Sequence, residues 1–112
     1  MSACIFCKIA SGEVRSQKVY EDDEVLAFKD LNAQAPVHLL VIPKRHIASL
    51  AASTADDEAL LGRLQSTVRA VAAQEGLSSF RVVANNGREA GQSVDHLHYH
   101  VLGGRRLGWP PG

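Results

Sequence analysis

Three histidines alternate with apolar residues in the run DHLHYHVLGG, at His96, His98 and His100. Leu97, Tyr99 and Val101 separate them, and Gly103 and Gly104 close the run, which predicts a β-strand over residues 95–103. Successive side chains of a strand point to opposite faces, so the three imidazoles share one face, about 6.5 to 7 Å apart. Solvated edge-strand histidines are the bland explanation, weakened by three falling in register beside a glycine-containing loop. A metal site is a second, although collinear ligands need a partner from elsewhere to close a tetrahedron. The third is nucleophilic catalysis by the middle residue. Neutral imidazole attacks phosphorus, and the covalent phospho-histidine splits one displacement into two easier steps. His98 is the candidate nucleophile if an acceptor holds its other ring nitrogen and so fixes the tautomer. His100 is then placed to donate to a phosphate oxygen.

The preceding loop, NGREAGQS, offers anion contacts. Gly91 permits close backbone approach, the N–H groups of Gln92 and Ser93 form a candidate anion nest, and the Ser93 hydroxyl stands near a leaving group. The remaining histidines, His38 and His46, flank the run HLLVIPKRH, and Cys4 and Cys7 are the only cysteines. A single close pair of cysteines leaves three readings: idle reduced thiols, a redox pair, or half of a metal site. The redox reading is the weakest, because no strand precedes the pair.

The elements that must position these groups follow from local pattern. CIFCKIAS predicts a short helix stopped by Gly12, and KVYEDDEVLAFKDL two short strands around Val19-Tyr20 and Val25–Phe28 with an acidic turn between them. Leu39–Ile42 is apolar throughout, as in a central strand covered on both faces. Thr54 as N-cap, acidic residues in the first turn and Gly76 as a stop predict a helix over Ala55–Glu75. Its stripe of Leu60, Leu64, Val68 and Val71, widened by Leu61 and Ala72, is core or a dimer interface. FRVVAN predicts a fourth strand. The expected fold is α+β, an antiparallel meander sheet of about five strands with two helices.

The chain has 112 residues, which suits a single domain over 1–112. Twelve basic and twelve acidic residues cancel, so no global field draws it to nucleic acid, and phosphate must be captured locally. With no charged leader before a long apolar core and no bilayer-length apolar run, a cytoplasmic protein without membrane partners is expected.

QSVDHLHYHVLGG closely resembles the active-site signature of the histidine triad nucleotide-binding family. The likeness covers nearly the whole chain, through IFCKI, EDDEVLAFKDLNAQAPVHLLVIPKRHI, NNG and GGRRLGWPPG, and it looks like the Hint branch. That resemblance implies hydrolysis of purine nucleoside phosphoramidates, with no cofactor required for the chemistry. It implies that His98 becomes nucleotidylated, supported by His38 and His100, with Ser93 near the leaving group. Asp30 would bind the ribose hydroxyls, Ile5, Phe6 and Leu31 would wall the base, and Asn85, Gly91, Gln92 and Ser93 would contact phosphate. Trp109 would belong to a tail near the partner subunit's site in a homodimer. Similarity to cysteine-bearing members implies a structural zinc ion on Cys4, Cys7, His46 and His96. The chain departs from the branch at Asp95, where an aromatic or apolar residue is frequent, and at Asn86, which replaces a frequent acidic residue.

Overall fold

A computed structural model describes residues 3–112. Helix α1, Ile5–Ser11, begins at Cys4, whose thiol accepts the Cys7 N–H at 3.4 Å, and ends at Gly12, whose φ of 86° turns the chain away. Its buried residues, Phe6 and Ile9, lie one turn apart on one face. Strands β1 (Lys18–Glu21) and β2 (Val25–Lys29) form a hairpin across the acidic turn. Asp22 stabilises that turn by accepting the N–H groups of Glu24 and Val25 at 2.8 and 2.9 Å. β3 (Val37–Pro43) is buried from His38 onward, as its continuous apolarity predicts.

Helix α2 spans Glu58–Gln74. The expected first turn is instead a separate 3-10 turn, Ala55–Asp57, capped reciprocally by Thr54 and Asp57. Leu60, Leu64, Val68, Val71 and Ala72 are buried, and Leu61 packs beside them. The stripe is therefore core, laid against the sheet. β4 (Phe80–Val83) and β5 (Tyr99–Gly103) complete five antiparallel strands in the order β1-β2-β3-β5-β4. The expected antiparallel α+β sheet with two helices forms, but the last hairpin folds inward so that β5 adjoins β3. β4 stays at the edge, with Phe80 and Val82 exposed.

The sheet has two covered faces. Val25, Ala27, Leu39, Val41, Tyr99 and Val101 pack under α2, while Leu26, Phe28, Leu40 and Ile42 pack under Phe6 and Ile9 of α1. In register, Phe28 stands opposite Leu40 and Leu40 opposite His100, which puts His100 on the α1 face.

One expectation changes. The strand predicted from residue 95 acquires ladder hydrogen bonds only at Tyr99. Before it, the Leu97 N–H donates to Ile47 O and the His96 N–H to Val94 O, so the backbone is committed to loops. Alternation nevertheless survives, with Leu97 buried in the α2-side cluster. Among the described residues, no helix is long and apolar enough to cross a membrane.

Candidate active site and metal site

The hydrogen bonds of the histidines fix their tautomers. His98 Nδ1 lies 2.7 Å from the His96 carbonyl oxygen. A carbonyl can only accept, so Nδ1 carries the proton and neutral His98 keeps its lone pair on Nε2. The Gln34 N–H donates to His38 Nδ1 at 3.0 Å, which puts the proton of neutral His38 on Nε2. That nitrogen is 2.9 Å from His100 Nδ1 and 3.3 Å from Asp30 Oδ2. His100 Nδ1 must therefore accept, leaving Nε2 as the donor nitrogen. One imidazole is set as a nucleophile and its neighbour as a hydrogen-bond donor, the rings 5.0 Å apart.

Burial favours the neutral forms of His100 and His38. Loss of solvent, with His98 and His38 beside it, pushes His100 down to about 4, and Asp30 opposes this only in part. Burial also lowers His38, again against the attraction of Asp30.

The two rings open on a cleft of about 310 Å³. Its polar end holds His98, His100 and Ser93, and its apolar stretch holds Ile5, Phe6, Phe28 and Leu40. Phe6 meets the His98 ring edge to face at 5.0 Å. Asp30 and Leu31 line the same cleft, Leu31 almost wholly exposed on its rim. Of the sequence-predicted residues, Ile5, Phe6, Asp30, Leu31, Ser93, His98 and His100 thus come together, and His38 stands behind His100. Phe28 and Leu40 were not singled out from sequence; they join His100 in one cross-strand row, which only the pairing register creates.

The loop before the triad differs from expectation. The Gln92 N–H already donates to Gly87 O at 3.1 Å, so it does not complete an anion nest. The Gln92 side chain is buried, donating to Ala48 O and Val94 O and accepting the Gly87 N–H. Gln92 is a brace for the loop. Gly91 takes a φ of 106°, which only glycine adopts without strain, and packs by Asn85. Neither Asn85, Gly91 nor Gln92 lines the cleft, leaving Ser93 as the loop's contribution. Asp95 pairs with Arg88 at 2.9 Å, and Asn86 accepts the Ala51 N–H at 2.7 Å, so both departures serve the loop's own structure. Trp109 is exposed beneath the Arg81 guanidinium, away from the cleft lining.

A second cluster forms on the other side of α1. His96 Nε2 is 2.8 Å from the Pro43 carbonyl and must donate to it, so the lone pair of neutral His96 sits on Nδ1. That nitrogen lies 3.3 Å from Cys4 Sγ, 3.6 Å from Cys7 Sγ and 3.2 Å from His46 Nδ1, and Cys7 Sγ is 3.3 Å from His46 Nδ1. Metal–sulfur bonds of about 2.3 Å and metal–nitrogen bonds of about 2.0 Å give a tetrahedron S···N edges of about 3.5 Å and an N···N edge of about 3.3 Å. The four donors match that shell, and the Pro43 carbonyl orients His96 as an outer partner orients a ligating histidine. Cys4, Cys7, His46 and His96 therefore fit a structural zinc ion. The closed four-ligand set leaves no position for substrate, and the cleft chemistry needs none from it.

Comparison with known proteins agrees with this geometry. The family model described as "Scavenger mRNA decapping enzyme C-term binding" matches residues 3–107. A HIT family hydrolase from Legionella pneumophila superposes with a TM-score of 0.96 at 48% identity, covering 97% of this chain and 99% of that one. The adenylylsulfatase HINT1 of Arabidopsis thaliana is 49% identical, over 99% of this chain and 78% of its own. A 14 kDa zinc-binding protein of Brassica juncea is 50% identical, over 96% and 98% of the two chains. The chain therefore belongs to the histidine triad family of nucleotide hydrolases, on its Hint-like branch.

Proposed function

We propose that the chain hydrolyses purine nucleoside 5′-phosphoramidates through a nucleotidyl-histidine intermediate on His98. The observation that carries this reading is the bond from His98 Nδ1 to the His96 carbonyl, which leaves a lone pair on Nε2 of a residue lining the cleft. In the first step Nε2 attacks the α-phosphorus, the P–N bond breaks, and the amine leaves with a proton relayed from solvent through Ser93, returned to solvent when water attacks in the second step. His100 donates from Nε2 to a non-bridging oxygen as charge builds there. In the second step water attacks the same phosphorus, the bond to His98 breaks, and the nucleoside monophosphate is released.

Asp30 receives the ribose hydroxyls in this reading, and Ile5, Phe6 and Leu31 receive the base. The chain acts as a homodimer, a reading supported by the unpaired β4 edge with its exposed Phe80 and Val82. A second substrate class, nucleotides whose α-phosphorus carries sulfate, is favoured by the name of the Arabidopsis relative. Cleavage of dinucleoside polyphosphates is the third.

The test is a chromatographic assay on adenosine 5′-phosphoramidate, adenylyl sulfate and a diadenosine polyphosphate in parallel, with His98→Ala as the control. Preferential release of AMP from the phosphoramidate, lost in His98→Ala, is the expected result. Preference for either competitor replaces the substrate, and full turnover by His98→Ala removes His98 from the mechanism.

A further inference from the structure

The loop that brings Ser93 to the cleft is built around an arginine that the hydrolytic steps do not use. Gly87 and Gly91, with φ of 93° and 106°, bracket a 3-10 turn, Arg88–Ala90. The Gly91 N–H closes the turn on Arg88 O at 3.0 Å, and the Gln92 N–H reaches Gly87 O at 3.1 Å. The main chain of Arg88 is thereby pinned where the loop doubles back towards Ser93. Its guanidinium then forks, with Nη1 donating to Ser93 O at 3.0 Å and Nη2 to Asp95 Oδ2 at 2.9 Å. One planar cation holds the residues on either side of Val94.

Both side chains of the Arg88–Asp95 pair are 67% exposed, and a pair so exposed adds little to the folding free energy. Its effect is local. Ser93 lines the cleft with His98, and its hydroxyl makes no hydrogen bond among the described residues, so the main chain alone places it. That main chain is tied from two sides. Gln92 Nε2 holds Val94 O at 3.0 Å from the buried side, and Arg88 holds Ser93 O from the solvent side. A rigid guanidinium fork fixes two acceptors at once, which a single ammonium does not.

We propose that Arg88, with Asp95 as its counterion, is a positioning residue for expulsion of the leaving group. It holds the Ser93 main chain so that the hydroxyl stands where the nitrogen departs. This rests on the phosphoramidate reading of the cleft given above. As the bond from phosphorus to His98 Nε2 forms and the P–N bond breaks, the electron pair stays on nitrogen. The Ser93 hydroxyl proton moves to that nitrogen, and solvent returns a proton to Oγ. An amine leaves only with this proton. Sulfate leaves as a stable anion and needs none, so adenylyl sulfate does not draw on the relay.

Steady-state kinetics of wild type, Arg88→Ala, Ser93→Ala and the double variant on adenosine 5′-phosphoramidate and adenylyl sulfate test this. Arg88→Ala is expected to lower kcat on the phosphoramidate roughly three- to ten-fold with KM little changed, part of the about 10²-fold that a positioned proton donor supplies. The loss on adenylyl sulfate is expected to be much smaller. Because Arg88 acts through Ser93, the double variant should fall no further than Ser93→Ala, and this cycle decides alone if wild type cleaves only the phosphoramidate. Asp95→Asn, which keeps the side chain's shape and removes its charge, is expected to give the same pattern more weakly. Unchanged kcat in Arg88→Ala, equal losses on both substrates, or a double variant that falls by the product of the single losses each overturns the proposal and leaves the phosphoramidase reading standing. Wild-type protein that leaves the phosphoramidate uncleaved overturns that reading, and the proposal with it.

Discussion

His38 and His100 meet nitrogen to nitrogen, at 2.9 Å, and the direction of that bond is imposed by the backbone of Gln34. A main-chain N–H cannot change roles, so it determines which nitrogen of His38 is protonated and, through it, which nitrogen of His100. Replacing His38 by Ala removes both the acceptor of the Gln34 N–H and the donor to His100 without touching the cleft lining. The expected outcome is a fall in kcat of about 10²-fold with KM altered much less, because His100 loses its fixed donor geometry. Steady-state kinetics check this; a change confined to KM would show that His38 only shapes the binding surface.

The depressed His100 gives stability a pH dependence of definite sign. Its imidazole titrates near 6.5 when unfolded and at about 4 when folded. Between those values the unfolded chain binds a proton that the folded chain refuses, so stability falls as pH drops from about 6.5 towards 4. Above 6.5 this group contributes no slope. Urea unfolding of wild type and His100→Asn at several pH values in that window is expected to give a shallower decline for the variant. Parallel declines would assign the acid sensitivity to other groups.

The Gln92 side chain braces the loop that carries Ser93. Its buried amide satisfies the Gly87 N–H and two carbonyls, Ala48 O and Val94 O. Gln92→Ala leaves those groups unpaired and is expected to destabilise the fold by about 1–3 kcal/mol. A denaturation midpoint shift alongside a modest change in nucleotide affinity is the expected pattern. An unshifted midpoint with a large loss of affinity would return Gln92 to the phosphate site.

The alternation of His96, His98 and His100, the unbroken apolarity of Leu39–Ile42 and the stripe from Leu60 to Val71 were legible in sequence because each follows a local period. The same alternation did not reveal where β5 begins. That boundary is set by Ile47 O, which takes the Leu97 N–H, and by Pro43 O, which takes the His96 side chain, contacts made only in the folded chain. The bracing by Gln92 was hidden for a related reason: residue type announced a polar contact, and only tertiary burial says with what.

Metal removal tests how the two clusters are joined. Cys4 and Cys7 begin α1, and Ile5 and Phe6 of the same helix wall the cleft, so the metal donors and the base wall share one short segment. His96 supplies a donor through its side chain and holds His98 through its carbonyl oxygen. A seven-residue helix is marginal by itself, so its placement depends on what anchors it. Elemental analysis is expected to find about one zinc per chain, lost in Cys7→Ser and on chelation. The stripped protein should melt at a lower temperature and bind AMP more weakly, because α1 is no longer held over the sheet. Metal loss that leaves both the midpoint and AMP affinity unchanged would show that the packing of Phe6 and Ile9 alone positions the helix.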